Sequence, residues 1–247
     1  MKNPYILASR SSFPTARLLK NFLNENYNLN LTLTSHLKSY NPSIRYGNSE
    51  KLLDNDISIN TVDFINLLSN KLRFSNFLLE NGLYAPVFKK DIPEVYPVII
   101  RKYLSSCKGR GIIVCKNKEE FIKNNANNYW TEFIKTEFEL RVHVVGGNII
   151  KVFKKMTLDE EESFPIRTNE NYHFGLKKQE LYKKLVPIVE KLNVLLGTKC
   201  FYGLDIGWNN NKSSYFIFEA NSAPGCNPET IEHYGNFLCK EVLSEER

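Results

Sequence analysis

A chain of 247 residues, 42% hydrophobic and 24% charged, can bury a substantial core and suits one unit of two or three lobes, which sets aside disordered and fibrous classes. Its modest formal net charge of +6 is compatible with anionic ligands such as nucleotides, and with no nucleic-acid-binding motif present a nucleic-acid partner is not expected. The five cysteines (Cys107, Cys115, Cys200, Cys226, Cys239) lack paired-ligand spacing, the opening residues are too weakly apolar for a signal peptide, and no run reaches the roughly 20 apolar residues of a membrane span, so free thiols in the cytoplasm, with no membrane partner, are the expectation.

Residues 5–8 read as a short apolar strand and 15–23 as a helix with Leu18, Leu19, Phe22 and Leu23 on one face, an α/β opening. Residues 29–34 alternate as a second strand, and 43–47 add a further short one ending at Gly47. Over 61–81 the pattern is helical, with a break at Asn70 and Lys71 and a stop at Gly82 and Pro86. Strands follow over 96–101 and 111–115, then a short helix over 118–123, then strands over 131–134, 140–145 and 149–155, the last two joined through Gly146 and Gly147. One long helix is expected over 176–196, kinked at Pro187, then a hairpin of 201–208 and 214–219 turning at 209–211, then a terminal helix over 228–243. The fold class is α+β, with a small α/β domain over 1–66 preceding sheet-rich lobes over 67–130 and 131–247.

Three segments carry chemistry. On the last hairpin, Asp205 lies in Gly-Leu-Asp-Ile-Gly, and Glu219 and Asn221 end the partner strand. Residues two apart on a strand share a face, and antiparallel pairing can set Asp205 beside them. Two carboxylates and an amide oxygen are hard ligands that suit Mg²⁺ completed by phosphate and water. An acidic hairpin face in water is the competing reading; the surrounding Phe, Leu, Ile and Trp argue against it, because unpaired buried carboxylates are costly. The second segment runs from Arg101 through Ser105, Lys108, Gly109, Arg110 and Gly111, a small-residue cationic loop between two strands. Its backbone can approach a phosphate, although taken alone the segment reads better as a solvated basic loop, and it lacks the Walker ending and following helix. The third is Glu132, Phe133 and Ile134 followed by Glu139, Leu140 and Arg141.

In this order and spacing the segments resemble the ATP-grasp superfamily of carboxylate–amine ligases, over roughly residue 70 to the end of the chain. The likeness is to the D-alanine–D-alanine ligase and ribosomal-protein glutamate ligase branches, and most to small phage-type ATP-grasp proteins. It implies that 1–66 is the domain preceding the ATP-grasp fold, 67–130 the lid and 131–247 the metal-bearing lobe, with ATP and Mg²⁺ (Mn²⁺ as a possible substitute) as cofactors. Lys71 matches the first nucleotide-contacting lysine, and Arg101 stands where the family normally has a second lysine, a departure in contact geometry. Ser105 to Gly111 matches the phosphate-covering loop, Glu132 to Lys135 the adenine-reading hinge, and Glu139 the acid on the ribose hydroxyls. Lys154 or Lys155 corresponds to the cation near the γ-phosphate, and Arg167 and Asn169 to the segment beside the transferred phosphate. Lys154, Arg141 and Arg167 are the expected catalytic cations, and Asp205, Glu219 and Asn221 the metal ligands.

The implied reaction activates a carboxylate as an acyl phosphate, which an amine displaces; a peptide, protein or amino acid would serve as substrate, and a homodimer would be in keeping with relatives. A nucleotide-binding module without turnover, or a kinase on the same fold, are the alternatives. Cys107 reads as loop filler and His143 as a structural histidine, while His173 falls on the expected substrate side.

Overall fold

The computed structural model describes residues 4–40, 42–51, 58–105, 110–157, 172–176, 180–209 and 214–245. In the first of three sheets, β1 (Tyr5–Ala8) lies between β2 (Thr32–Thr34) and β3 (Ile44–Tyr46) and runs parallel to both. Parallel neighbours need a crossover, and α1 (Phe13–Tyr27) supplies it. Proline in its first turn gives up no needed N–H, while Ala16, Leu19 and Leu23 bury one stripe. Asn28 ends the helix at φ 53°, a left-handed cap whose N–H returns to Asn24 O at 3.1 Å. The core of this sheet is closed by a helix from the far end of the chain, α6 (Pro228–Glu245), through Tyr234, Leu238 and Val242.

The helical stretch expected over 61–81 is two helices, α2 (Val62–Ser69) and α3 (Lys71–Glu80), and Asn70 divides them. Its extended backbone stops α2, and its side chain accepts a hydrogen bond from Arg73 N at 3.0 Å to cap α3.

The second sheet is antiparallel: β4 (Val98–Arg101) between β5 (Ile112–Cys115) and β6 (Tyr129–Glu132), backed by α4 (Lys118–Asn124). It has its own small core of Val98, Ile100, Cys115, Phe121 and Trp130.

The third sheet is the scaffold for the site. Its strands are β7 (Phe138–Val145), β8 (Asn148–Thr157), β9 (Tyr172–Leu176), β10 (Phe201–Asn209) and β11 (Ser214–Asn221), in the spatial order β11-β10-β7-β8-β9 and antiparallel throughout. Strand alternation sorts the side chains. Leu140, Val142, Val144, Leu204, Ile206 and Trp208 join α2, α3 and α5 (Glu180–Leu196) in the largest core, and Glu139, Arg141, His143 and Asp205 stand on the other face. Gly146 and Gly147 make the β7–β8 turn with φ of 58° and 77°, the left-handed pair that a tight hairpin of this hand demands.

One expectation needs correction here. Leu176 does not begin the long helix; it ends β9, which pairs along the outer side of β8, and α5 starts at Glu180. Pairing with Phe153 holds Leu176 extended where helical periodicity alone would place it in a first turn. Among the described residues no helix is long and apolar enough to cross a membrane. The expected turn residues 210 and 211 lie outside the described residues.

Candidate functional site

The register of the third sheet lines up an ionisable row. Glu219 on β11 is opposite Asp205 on β10, and Asp205 is opposite Arg141 on β7; one step along, Glu139 is opposite Lys155 on β8. Arg141 grips Asp205 with two nitrogens: Nε contacts Oδ1, and Nη2 lies 2.9 Å from Oδ2. Lys155 Nζ also donates to Asp205 Oδ2 and lies 3.8 Å from Glu139.

A β-bulge makes this row possible. The register of β10 with β11 slips between Asp205 and Ile206, so that Phe218 is an extra residue. In a regular strand Ile217 and Glu219 would share a face. With the bulge Ile217 turns into the core at 1% exposure, while Glu219 stays beside Asp205. Asn221, two residues on, keeps Glu219 company, its Nδ2 3.5 Å from Oε1. The glycines around Asp205 matter for the same reason. A Cβ on Gly203 would lie 2.9 Å from Pro224 and 3.1 Å from Arg141, and one on Gly207 would lie 2.6 Å from the Phe218 ring.

The second sheet leans onto the row. Lys71 begins α3, places Nζ 3.0 Å from Glu219 Oε2, and bonds through its own N–H to Leu104 O at 3.0 Å. Arg101 ends β4 with its guanidinium 5.7 Å from the Phe88 ring centroid and within the fields of Glu219 and Glu139. Its Nε is buried and has no hydrogen-bond partner among the described residues.

Charge states follow from these contacts. Burial alone would push the Asp205 carboxyl up, but Arg141 and Lys155 outweigh it and hold it well below the usual carboxylate range. Burial would likewise depress the Lys155 ammonium; Asp205, aided by Glu139 and Glu219, raises it instead. Burial lowers Arg101, with the two glutamates opposing. Among the described residues, four cations (Lys71, Arg101, Arg141, Lys155) thus stand around three carboxylates (Glu139, Asp205, Glu219).

The remaining expected residues fall as follows. Lys154 is corrected: its register partner is the core residue Leu140, so it points away from the acids, and its Nζ sits 5.7 Å from the Phe138 ring centroid. Lys155 takes the inward place. Glu132 is exposed at the end of β6, 3.4 Å from Lys89, and Phe133 N bonds Pro97 O at 3.2 Å where the chain passes between the second and third sheets. Phe133 and Ile134 are half-buried, and Ser105 and Arg110 are exposed. Gly111 has φ 77° and sits where a Cβ would come 2.5 Å from Tyr103. Lys108, Gly109, Arg167 and Asn169, and also Cys107, lie outside the described residues. The backbone of His173 lies in β9; its side chain is outside the description. His143 is 3% exposed and bonds Tyr234 Oη at 2.9 Å, and burial, with Arg141, lowers its pKa to about 4.

Two residues outside the expected set hold the acid hairpin in place. Asn60, at φ 59° and fully buried, donates to Phe201 O (3.0 Å) and Ser222 O (3.1 Å) and accepts from Phe201 N (2.9 Å). Tyr46 donates to Pro224 O. Both act over long sequence separations from otherwise ordinary polar surroundings, so no local pattern announces them. Among the described residues no three His, Cys, Asp or Glu side chains gather as a metal cluster; the carboxylates of Asp205 and Glu219 with the amide of Asn221 are the hard-donor set present.

No family model matches the chain, and no curated protein sequence matches it significantly. Solved structures do. A D-alanine–D-alanine ligase from Bacillus anthracis superposes with a TM-score of 0.65 at 10% identity, covering 99% of each chain. The ATP-grasp ligase PsnB, in complex with a minimal precursor, matches with a TM-score of 0.61 at 13% identity over 100% of each chain. The synthetase purK, in complex with ADP, matches with a TM-score of 0.64 at 10% identity over 97% of this chain and 78% of that one. Like these ligases, the chain has the ATP-grasp fold.

Proposed function

We propose that this chain is an ADP-forming ligase that uses ATP and Mg²⁺ to join a carboxylate to an amine. The observation that carries the reading is the buried Arg101 Nε, which has no hydrogen-bond partner among the described residues and stands beside the acid row. A buried donor without an acceptor is costly, and a phosphate oxygen is the acceptor such a guanidinium suits best. The donor set of Asp205, Glu219 and Asn221 fits Mg²⁺, and they are the residues that would hold it. Bound there, the ion would neutralise phosphate charge.

The chain's own groups have separable parts. Lys155 and Arg141 keep Asp205 ionised and oriented. Lys71 and Arg101 bring positive charge from the lid side, and Glu139, 19% exposed, would accept hydrogen bonds from ribose hydroxyls. The hinge at Glu132, Phe133 and Ile134 offers backbone groups to the adenine edge, and Ser105 to Gly111 would cover the phosphates. As co-substrate, ATP supplies the phosphoryl group: a carboxylate oxygen attacks the γ-phosphorus, the bond to ADP breaks, and an acyl phosphate results. The amine then attacks the acyl carbon, phosphate departs, and the amine loses a proton. Positioning and charge stabilisation are what the protein must contribute. Arg167 and Asn169 remain proposed at the transferred phosphate.

Incubation with Mg²⁺-ATP and pooled amino acids or peptides should release ADP and yield new amides detectable by mass spectrometry, and Asp205→Asn should abolish both. No ADP with any acceptor would sink the ligase reading, and ADP with a stable phosphorylated product would turn it into a kinase.

A further inference from the structure

We infer that the groove between α5 and the outer edge of β11 docks an extended acidic peptide segment. This surface lies on the sheet face opposite Asp205, so the inference does not depend on the nucleotide reading. The groove measures about 490 Å³; its floor includes Leu83, Ile188, Trp208 and Tyr215, and its charged lining is Lys184 and Lys191, with no carboxylate among the lining residues.

Three features fix the occupant. The floor is aromatic and continuous: Trp208 and Tyr215 stack with centroids 6.3 Å apart, and Tyr84, 61% exposed, stands edge-on to Tyr215 at 5.5 Å. Trp208 itself is only 3% exposed, so Tyr215 and Tyr84 are the rings that an apolar side chain of a partner would meet. The lysines sit one on each side of Pro187 and Ile188 along a single helix face; Lys184 Nζ is 5.8 Å from the Trp208 ring centroid, and Lys191 Nζ donates to Gly82 O at 3.1 Å. Carboxylates flanking an apolar anchor would meet both. Finally, β11 is the outer strand of its sheet, and Ile217 N already donates outward to Tyr84 O at 2.8 Å. Backbone groups two residues apart on a strand point to the same side, so the N–H and C=O of Tyr215 also face outward. Because Tyr84 already fills the edge at Ile217, an extended peptide would pair with the backbone groups of Tyr215 and lay its side chains in the groove.

The test is fluorescence anisotropy with a short fluorescein-labelled peptide alternating glutamate and phenylalanine, and a matched peptide with lysine in place of glutamate. The acidic peptide should bind saturably and weaken with salt. The double variant Lys184→Glu/Lys191→Glu should lose roughly tenfold or more. Tyr215→Pro should weaken binding too, because it removes the outward N–H while an edge strand tolerates proline. Unchanged thermal midpoints would show that both variants are folded; if either is not, Lys184→Gln/Lys191→Gln replaces it with a smaller loss expected. Equal binding by the charge-reversed protein or by the lysine peptide, or no saturation up to about 1 mM, would overturn the proposal. So would sedimentation showing a dimer that Lys184→Glu/Lys191→Glu converts to monomer, since a second copy would then be the occupant.

Discussion

Adjacent lysines on β8 allow a sharp comparison. Lys155→Met removes an ammonium that is 9% exposed and bonded to a 2% exposed carboxylate. Breaking a buried pair from one side costs about 3–5 kcal/mol, and here Arg141 remains on Asp205, so a loss of stability near the lower figure is expected. If Lys155 also meets the phosphates, turnover should fall by about 10²–10³-fold, the usual effect of deleting one preorganised charge donor. Lys154→Met removes only a contact 5.7 Å from the Phe138 ring centroid, worth about 0.5–1 kcal/mol. Both variants should be titrated with Mg²⁺-ATP by calorimetry, followed by ADP release. The expected pattern is weakened binding and lost turnover for Lys155→Met with near-native values for Lys154→Met. Equal losses, or the reverse order, would refute the assignment of inward and outward faces to chemistry.

Other expectations follow from buried groups. His143 has a folded pKa of about 4 against an ordinary 6.5, so between those values the unfolded chain binds a proton that the folded protein refuses. Stability from this group is therefore full above pH 6.5 and lost as pH falls through 4, by up to about 3 kcal/mol; urea unfolding of His143→Gln should show a flatter pH dependence, and a histidine NMR midpoint between 6 and 7 would contradict it. Asn60→Ala strands three buried backbone groups around Phe201 and Ser222 and should cost about 3 kcal/mol, measured by thermal unfolding, with under 1 kcal/mol speaking against the clamp. Gly203→Val drives a side chain into Pro224 and Arg141 and should cost at least about tenfold in Mg²⁺-ATP affinity, whereas unaltered affinity would show that the Arg141–Asp205 geometry is dispensable.

The readable part of the site was that borne by local pattern. Asp205, Glu219 and Asn221 lie on strands whose alternation is plain, and Lys71 follows an asparagine that both stops and caps. Lys154 and Lys155 could not be told apart because a single-residue shift of β8 against β7 exchanges their faces, and that register is set by the partner strand. The bulge at Phe218 was equally hidden; it reveals itself only when Ile217 and Glu219 are found on opposite faces. Of β9 only Leu176 falls within the expected helix, and its pairing with Phe153 on the outer side of β8, a long-range contact, holds it extended. Asn60 carries no signal at all in the sequence, because its three partners lie more than a hundred residues away.

The closure of the first sheet by α6 has a consequence for how the chain is made. Residues near the two ends of the chain share one core, and Tyr27 bonds Asn236 across 209 positions. Strands β1 to β3 are translated well before α6 and therefore have no complete apolar partner until that helix emerges. Their pairing must wait for a long loop to close, a slow and entropically unfavourable event. This sheet, although it precedes α6 in translation, is thus expected to fold late, and a fragment lacking α6 would leave its apolar face open to self-association.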